Sequence, residues 1–153
     1  RQDFLRVATR SLRAFIIAYV SAAVILIFLE RWLIYPIPPR ANPTNPLNIV
    51  ASTAFEDVWI EGDGEVRLHG WYLSHPKPRA TVLFFHGNGE DISNCGPEMA
   101  YWRDLLAINV LVMDYRGYGQ SSGKPSEKWL VSDGVKAANW AAERAQILPS
   151  DLV

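Results

Sequence analysis

Two short apolar runs, Val82–Phe85 and Val110–Met113, each lead into a glycine-rich turn, and about 25 residues separate them. Runs this short and this apolar suit buried strands better than helices. The interval is long enough for one crossover helix, so the pair reads as two neighbouring parallel strands joined in the right-handed sense. Within it, Met99, Trp102, Leu105 and Leu106 recur at helical spacing, which predicts a helix laying that stripe on the sheet. Pro97 suits the first turn of such a helix, after Cys95 or Gly96, and Asn109 is placed to end it. The first glycine turn, His86-Gly87-Asn88-Gly89, puts pliable backbone at the carboxyl end of a buried strand. Open α/β sheets bind their ligands at that edge.

The neighbouring segments extend the pattern. Residues 55–61 alternate weakly up to Gly62-Asp63-Gly64, and residues 66–73 follow as a second strand, so a hairpin is expected. Residues 81–85 and 110–114 are the next strands. Ser126 is a candidate cap for a second helix over 127–145, whose Gly134, Ala137, Ala138, Ala141 and Ala145 offer a low-relief face. Asp151-Leu152-Val153 looks like the start of a further strand. The resulting β-β-β-α-β-α-(β) order is α/β with an antiparallel edge. The further strands that would flank and cover residues 110–113 are not evident, so apolar edges are expected to be exposed there.

The amino-terminal third is of another kind. Residues 14–29 carry a polar side-chain atom only at Tyr19 and Ser21, and after Glu30-Arg31 the apolar pattern resumes through Tyr35. A helix over 14–35 would be roughly 33 Å long, enough to cross a bilayer core with Trp32 and Tyr35 at its interface. A cleaved signal peptide wants a small-x-small site that this stretch lacks, and a buried core helix would show a polar face. The expectation is a single membrane anchor at 14–35 in the lipid bilayer. Residues 1–13, with Arg1, Arg6, Arg10 and Arg13, would stay cytoplasmic and the rest would lie across the membrane. Residues 36–54 begin with five prolines in eleven positions and read as a spacer, or as an extended arm on the surface of a globular part at 55–153.

Charge and cysteine content exclude several functions. The formal net charge is −1, and from Pro36 onward 14 acids face 10 bases, so there is no basic surface for nucleic acid. One cysteine, Cys95, makes neither an internal disulfide nor a zinc cluster, and no metal site is expected. A dinucleotide fingerprint fails as well, because Ile92 stands where Gly87-x-Gly89 needs its third glycine. No cofactor is expected.

What remains is the chemistry of the turns. Glycines flanking a turn after a buried strand let the N–H groups of Asn88 and Gly89 converge on one point, the geometry an oxyanion needs. Gly119-Gln120-Ser121-Ser122-Gly123 formally matches the G-x-S-x-G nucleophile elbow. That elbow requires a strand running straight into the turn and a helix starting straight after the serine. Here residues 115–118 intervene before it and Lys124-Pro125 follow it, so Ser121 is expected on a loop as a structural residue. His69 reads as a packed strand residue, His75 as solvated, and His86 as shaping the glycine turn. Asp114 and Arg116 flank a bend that they would pair across or cap.

Taken together, FFHGNGEDIS, VMDYRGYGQSSGKPSE and the alanine-rich helix after them resemble the N-terminal half of the α/β-hydrolase superfamily. The nearest branch is the membrane-anchored serine hydrolases of serine-aminopeptidase-like or acyl-thioesterase-like type. The resemblance covers residues 55–153. It implies that the turn after the third strand supplies an oxyanion donor, at Asn88 with Gly89, and that the DYRGYG-x-S segment does not hold the nucleophile. It further implies a nucleophilic serine roughly five residues past Val153, with the acid and the histidine later still. The expected parent is a hydrolase of esters, thioesters or amides acting on a small acyl or peptide substrate, and the chain by itself is expected to be inactive. The alternative is a non-catalytic, membrane-tethered binding or scaffold module.

Overall fold

The computed structural model describes residues 2–38 and 55–153, the side chains of Asp3 and Arg31 excepted. Most of the proline-rich stretch, 39–54, therefore lies outside the described residues. The chain divides into two compact units, Arg1–Ile34 and Tyr35–Val153.

The first unit is a helix, α1 (Gln2–Ile34, 33 residues). It begins well before the apolar run, so Arg6, Arg10 and Arg13 are helical too. No glycine or proline interrupts the sequence before Pro36, and a residue preceding proline, here Tyr35, is pushed out of the helical region. The 27-residue stretch Phe4–Glu30 contains a window of mean hydropathy 2.4, none of it buried. By length and composition it is able to cross a membrane.

The second unit is built on a four-stranded sheet. Its strands are β1 (Phe55–Glu61), β2 (Arg67–Leu73), β3 (Thr81–Phe85) and β4 (Asn109–Met113), in the spatial order β1-β2-β4-β3. The expected hairpin is present, with Phe55 opposite Leu73 and Glu61 opposite Arg67. β4 runs antiparallel to β2 and parallel to β3, Val82 facing Val110 and Phe85 facing Met113. The helix α2 (Ile92–Leu106) bridges the two parallel strands and packs on one face of the sheet against Trp71, Leu73, Val110 and Val112. On the other face α3 (Glu127–Ala145) sets Ala137 and Ala141 against Val58, Leu68, Leu111 and Met113. The small residues on α3 do admit close packing, as their spacing suggests. Ser126 takes the cap position of α3, although its side chain makes no capping bond.

Three expectations fail. First, β4 does not expose apolar edges. It is paired on both sides and all five of its residues are buried, because β2 turns back to cover the side away from β3. The outer strands of the sheet are β1 and β3. Second, the segment at 151–153 is not yet a strand. Asp151 closes a 3-10 turn, Pro149–Asp151, and only Val153 reaches β3, donating to the Thr81 carbonyl (3.1 Å) and accepting from the Leu83 N–H (3.0 Å).

Third, α2 starts and faces differently. Asp91 caps it in a reciprocal pair with Asn94, so Pro97 lies in its second turn, and Ala107 in a left-handed conformation (φ 53°) ends it rather than Asn109. Its buried side carries Ile92, Cys95, Gly96, Met99, Ala100 and Arg103, while Trp102, Leu105 and Leu106 are 38%, 57% and 47% exposed. The reason is Trp71. Its ring lies where a Cβ on Gly96 would approach to 2.5 Å, so only the small stripe of the helix seats over the indole.

Candidate active site

The turn at residues 86–91 leaves the carboxyl end of β3 and passes directly into the N-terminus of α2, where backbone N–H groups and the helix dipole favour negative charge. Gly89 holds φ 78°, a left-handed conformation open to glycine. The turn closes on itself through Glu90 N–H to the Gly87 carbonyl (3.3 Å) and Gly87 N–H to Glu90 Oε2 (3.2 Å). Tyr118 donates its hydroxyl proton to Asn88 Oδ1 (3.3 Å). Among the described residues the Gly89 N–H makes no hydrogen bond to another main-chain group, and the Pro36 ring and carbonyl lie 3.8 Å from where a Cβ on Gly89 would stand. The two residues singled out in the sequence, Asn88 and Gly89, therefore share one turn at the ligand-binding edge of the sheet.

His86 is 3% exposed and turned inward, its ring 4.6 Å from that of Tyr115 and 5.7 Å from that of Tyr118. Its Nδ1 lies 2.9 Å from the Gly87 carbonyl and its Nε2 faces the Tyr115 N–H at 3.5 Å. Both contacts are met by the tautomer protonated at Nδ1, so the ring is spent on backbone and shapes the turn. Burial raises the Tyr115 and Tyr118 phenols above their ordinary value, keeping this wall neutral.

Behind the turn stands Asp114, 1% exposed. Its Oδ1 accepts the Ile92 N–H (3.0 Å), the first of α2, and its Oδ2 accepts the Gln120 N–H (3.2 Å) and lies 3.1 Å from His69 Nδ1. The expected pairing with Arg116 does not form. Arg116 reaches instead to Asp133 on α3, through Nε to Oδ2 (2.8 Å) and Nη2 to Oδ1 (2.6 Å), both residues buried. Asp114 thus fastens turns, as one of the two expectations for it had it, while Arg116 fastens the loop to a helix the sequence did not connect with it.

This geometry explains the formal elbow match. Gly119 is a glycine because a Cβ there would lie 2.1 Å from Asp114 Oδ2, and its φ is 46°. Ser121 is fully buried on a loop; its Oγ accepts from the His69 backbone N–H (2.8 Å) and donates to the Asp114 carbonyl (2.8 Å). Ser122 does the same for Arg67, whose N–H donates to its Oγ (2.9 Å). The loop therefore continues the ladder of β2 past the point where β4 ends. Among the described residues no serine hydroxyl is hydrogen-bonded to a histidine ring. Cys95 is buried, its thiol pushed up to about 12 by desolvation, and stays protonated at neutral pH.

The other histidines divide. His75 is half-buried rather than solvated; it accepts from Lys77 N–H through Nδ1 (3.2 Å) and donates its own N–H to Asn109 (2.9 Å). His69 is 1% exposed and sits between two carboxylates, Asp57 and Asp114. That cluster was not legible in the sequence. Asp57 and Asp114 are far apart along the chain, and only the β1–β2 and β2–β4 registers bring them to one imidazole. No group of side chains fit to hold a metal ion occurs among the described residues.

No family model matches the chain. Individual relatives do. It is 29% identical over 140 residues to the alpha/beta hydrolase domain-containing protein WAV2 of Arabidopsis thaliana, covering 90% of this chain and 46% of that one. It is 35% identical over 139 residues to an uncharacterized protein of Mycobacterium tuberculosis, covering 88% and 48%. The chain thus spans about half the length of the curated relatives it matches. Among solved structures it superposes on an alpha-beta hydrolase of Vibrio vulnificus with a TM-score of 0.65 at 29% identity, covering 81% of this chain and 46% of that one. An esterase of Pyrococcus furiosus gives 0.56 at 25%, covering 72% and 44%. On these likenesses the chain belongs to the α/β-hydrolase superfamily.

Proposed function

We propose that the turn at residues 86–91 is the oxyanion-binding corner of a serine hydrolase acting on an ester, thioester or amide. The N–H groups of Asn88 and Gly89 face the negative charge that develops on the carbonyl oxygen. The nucleophilic serine, its acid and its catalytic histidine come from sequence following Val153. In that enzyme the serine attacks the carbonyl, the turn stabilises the tetrahedral oxyanion, the leaving group departs with a proton, and water releases the acyl intermediate. The observation that carries this reading is the place of Gly89, in a left-handed turn at the carboxyl end of β3 just before the N-terminus of α2. The two ladder bonds of Val153 to the outer edge of β3 support it further, because a strand continuing from there would end beside the same turn.

The apolar helix α1 is, in this reading, a single membrane anchor with its arginine-bearing end in the cytoplasm and the hydrolase domain on the other side. At 1.5 Å per residue, Phe4–Glu30 extends about 40 Å, enough for the hydrocarbon core.

The test is labelling by a fluorophosphonate probe. The 153-residue chain takes no label, whereas a polypeptide extended past Val153 through a strand and a G-x-S-x-G turn is labelled. Ser121→Ala leaves that label in place and lowers stability by about 1–3 kcal/mol, since the His69 N–H then has no acceptor. Labelling of the 153-residue chain at Ser121, or none in the extended one, overturns the reading. The second outcome leaves a non-catalytic tethered module.

A further inference from the structure

His69 links the far side of the sheet to the candidate oxyanion corner. Its Nε2 lies 2.7 Å from Asp57 Oδ1 and its Nδ1 3.1 Å from Asp114 Oδ2. An ionised carboxylate only accepts, so both contacts are hydrogen bonds only when both ring nitrogens carry protons. His69 and Asp114 are buried, whereas the Asp57 side chain is 49% exposed, so the cluster meets solvent on the β1 side. From β1, Trp59 lies 4.9 Å from the imidazole ring with the Arg67 guanidinium stacked on its outer face, and Asp57 also accepts from Trp71 Nε1 (3.1 Å). From the loop after β4 come Asp114 and Ser121, the latter bonded to the His69 main chain. His86 Nε2 stands 3.8 Å from the other oxygen of Asp114, and α2 contributes the Ile92 N–H to that oxygen.

We propose that His69 is a positioning residue: as an imidazolium it holds the Asp114 carboxylate in the place from which that carboxylate fixes the first turn of α2 and, three residues upstream, Gly89. This rests on the reading of residues 86–91 as an oxyanion corner only for its catalytic meaning; the linkage itself stands on the bonds. When the ring loses a proton, one nitrogen presents a lone pair to a carboxylate oxygen. If Nε2 keeps its proton for the shorter Asp57 contact, Nδ1 repels Asp114 Oδ2. Asp114 then releases Ile92 and Gln120, and the turn loosens.

Burial pushes the His69 imidazole toward neutrality, but its bonds to Asp114 and Asp57 outweigh burial and raise its pKa above the ordinary 6.5. A group whose pKa is raised on folding binds more protons folded than unfolded. Its contribution to stability is therefore complete below 6.5 and is lost as pH rises through the raised value.

The experiment is a pH titration by 15N NMR of the full chain in detergent micelles, with labelled histidine and backbone amides. At pH 6.5 both His69 ring nitrogens are expected to be protonated. On raising the pH, the amide signals of Ile92, Gln120 and Gly89 move with the midpoint of the His69 ring. Asp57→Asn lowers that midpoint while the amides still follow the ring, and His69→Gln abolishes the shared transition. A ring carrying one proton at pH 6.5, or amides that ignore its titration, overturns the proposal. If His69→Gln fails to fold, Asp57→Asn decides alone. None of these signals needs turnover, so a failed oxyanion reading leaves them intact, and their failure leaves the fluorophosphonate result standing.

Discussion

Asp133→Ala lowers the stability of the domain by about 3–5 kcal/mol, seen as an earlier urea midpoint for the full chain in detergent. The substitution leaves the Arg116 guanidinium 4% exposed and without its carboxylate, and an unpaired buried charge costs far more than the pair itself contributes. The loop depends on that residue. Arg116 also lies over the Trp129 ring at 4.5 Å and beside Gly123 and Gly62, so it joins α3, the loop and the hairpin turn. Replacing both partners with apolar residues, Arg116→Met with Asp133→Leu, recovers most of the loss. A single Asp133→Ala costing under about 1 kcal/mol would mean that the pair is exchanged freely with water.

Gly119→Ala has an effect of similar size, about 3–5 kcal/mol, for another reason. The added Cβ falls 2.1 Å from Asp114 Oδ2, well inside contact distance, and the backbone there is left-handed. Asp114 has to move, and with it go the bonds to Ile92, Gln120 and His69. Gly64→Ala is the control: Gly64 is also left-handed, at φ 73°, but nothing lies within 4 Å of its Cβ, so only the backbone term of about 1–2 kcal/mol applies. Amide exchange at Ile92 separates the two, rising in Gly119→Ala and unchanged in Gly64→Ala. Equal losses in both variants would contradict the crowding argument.

The parts of the fold that follow from local pattern were legible in the sequence. β1 and β3 carry apolar or alternating residues up to a turn, and their limits match the expected ones. The crossover between β3 and β4 follows from spacing alone. What the sequence concealed depends on tertiary packing. The face of α2 is set by one indole against Gly96, so its bulky periodic residues, Trp102, Leu105 and Leu106, turn outward against the usual rule. The start of α2 did carry a signal, Asp91 followed three residues later by Asn94, but it was masked by the glycine turn just before it and by Pro97 just after.

The site divides in the same way. Asn88 and Gly89 are placed by a local turn, and the loop position of Ser121 follows from the five residues, 114–118, between β4 and the motif. The Asp57–His69–Asp114 cluster and the Arg116–Asp133 pair are non-local. Each joins residues from separate elements, and only strand register or helix packing makes them neighbours.

In the proposed enzyme the Gly89 N–H donates to the developing negative charge. The most direct measurement replaces that N–H by an ester oxygen, through semisynthesis, in a polypeptide that extends past Val153 to the proposed nucleophile. The predicted result is a fall in kcat of about 100- to 1,000-fold with KM nearly unchanged, because the bond forms in the transition state. An unchanged kcat would contradict it.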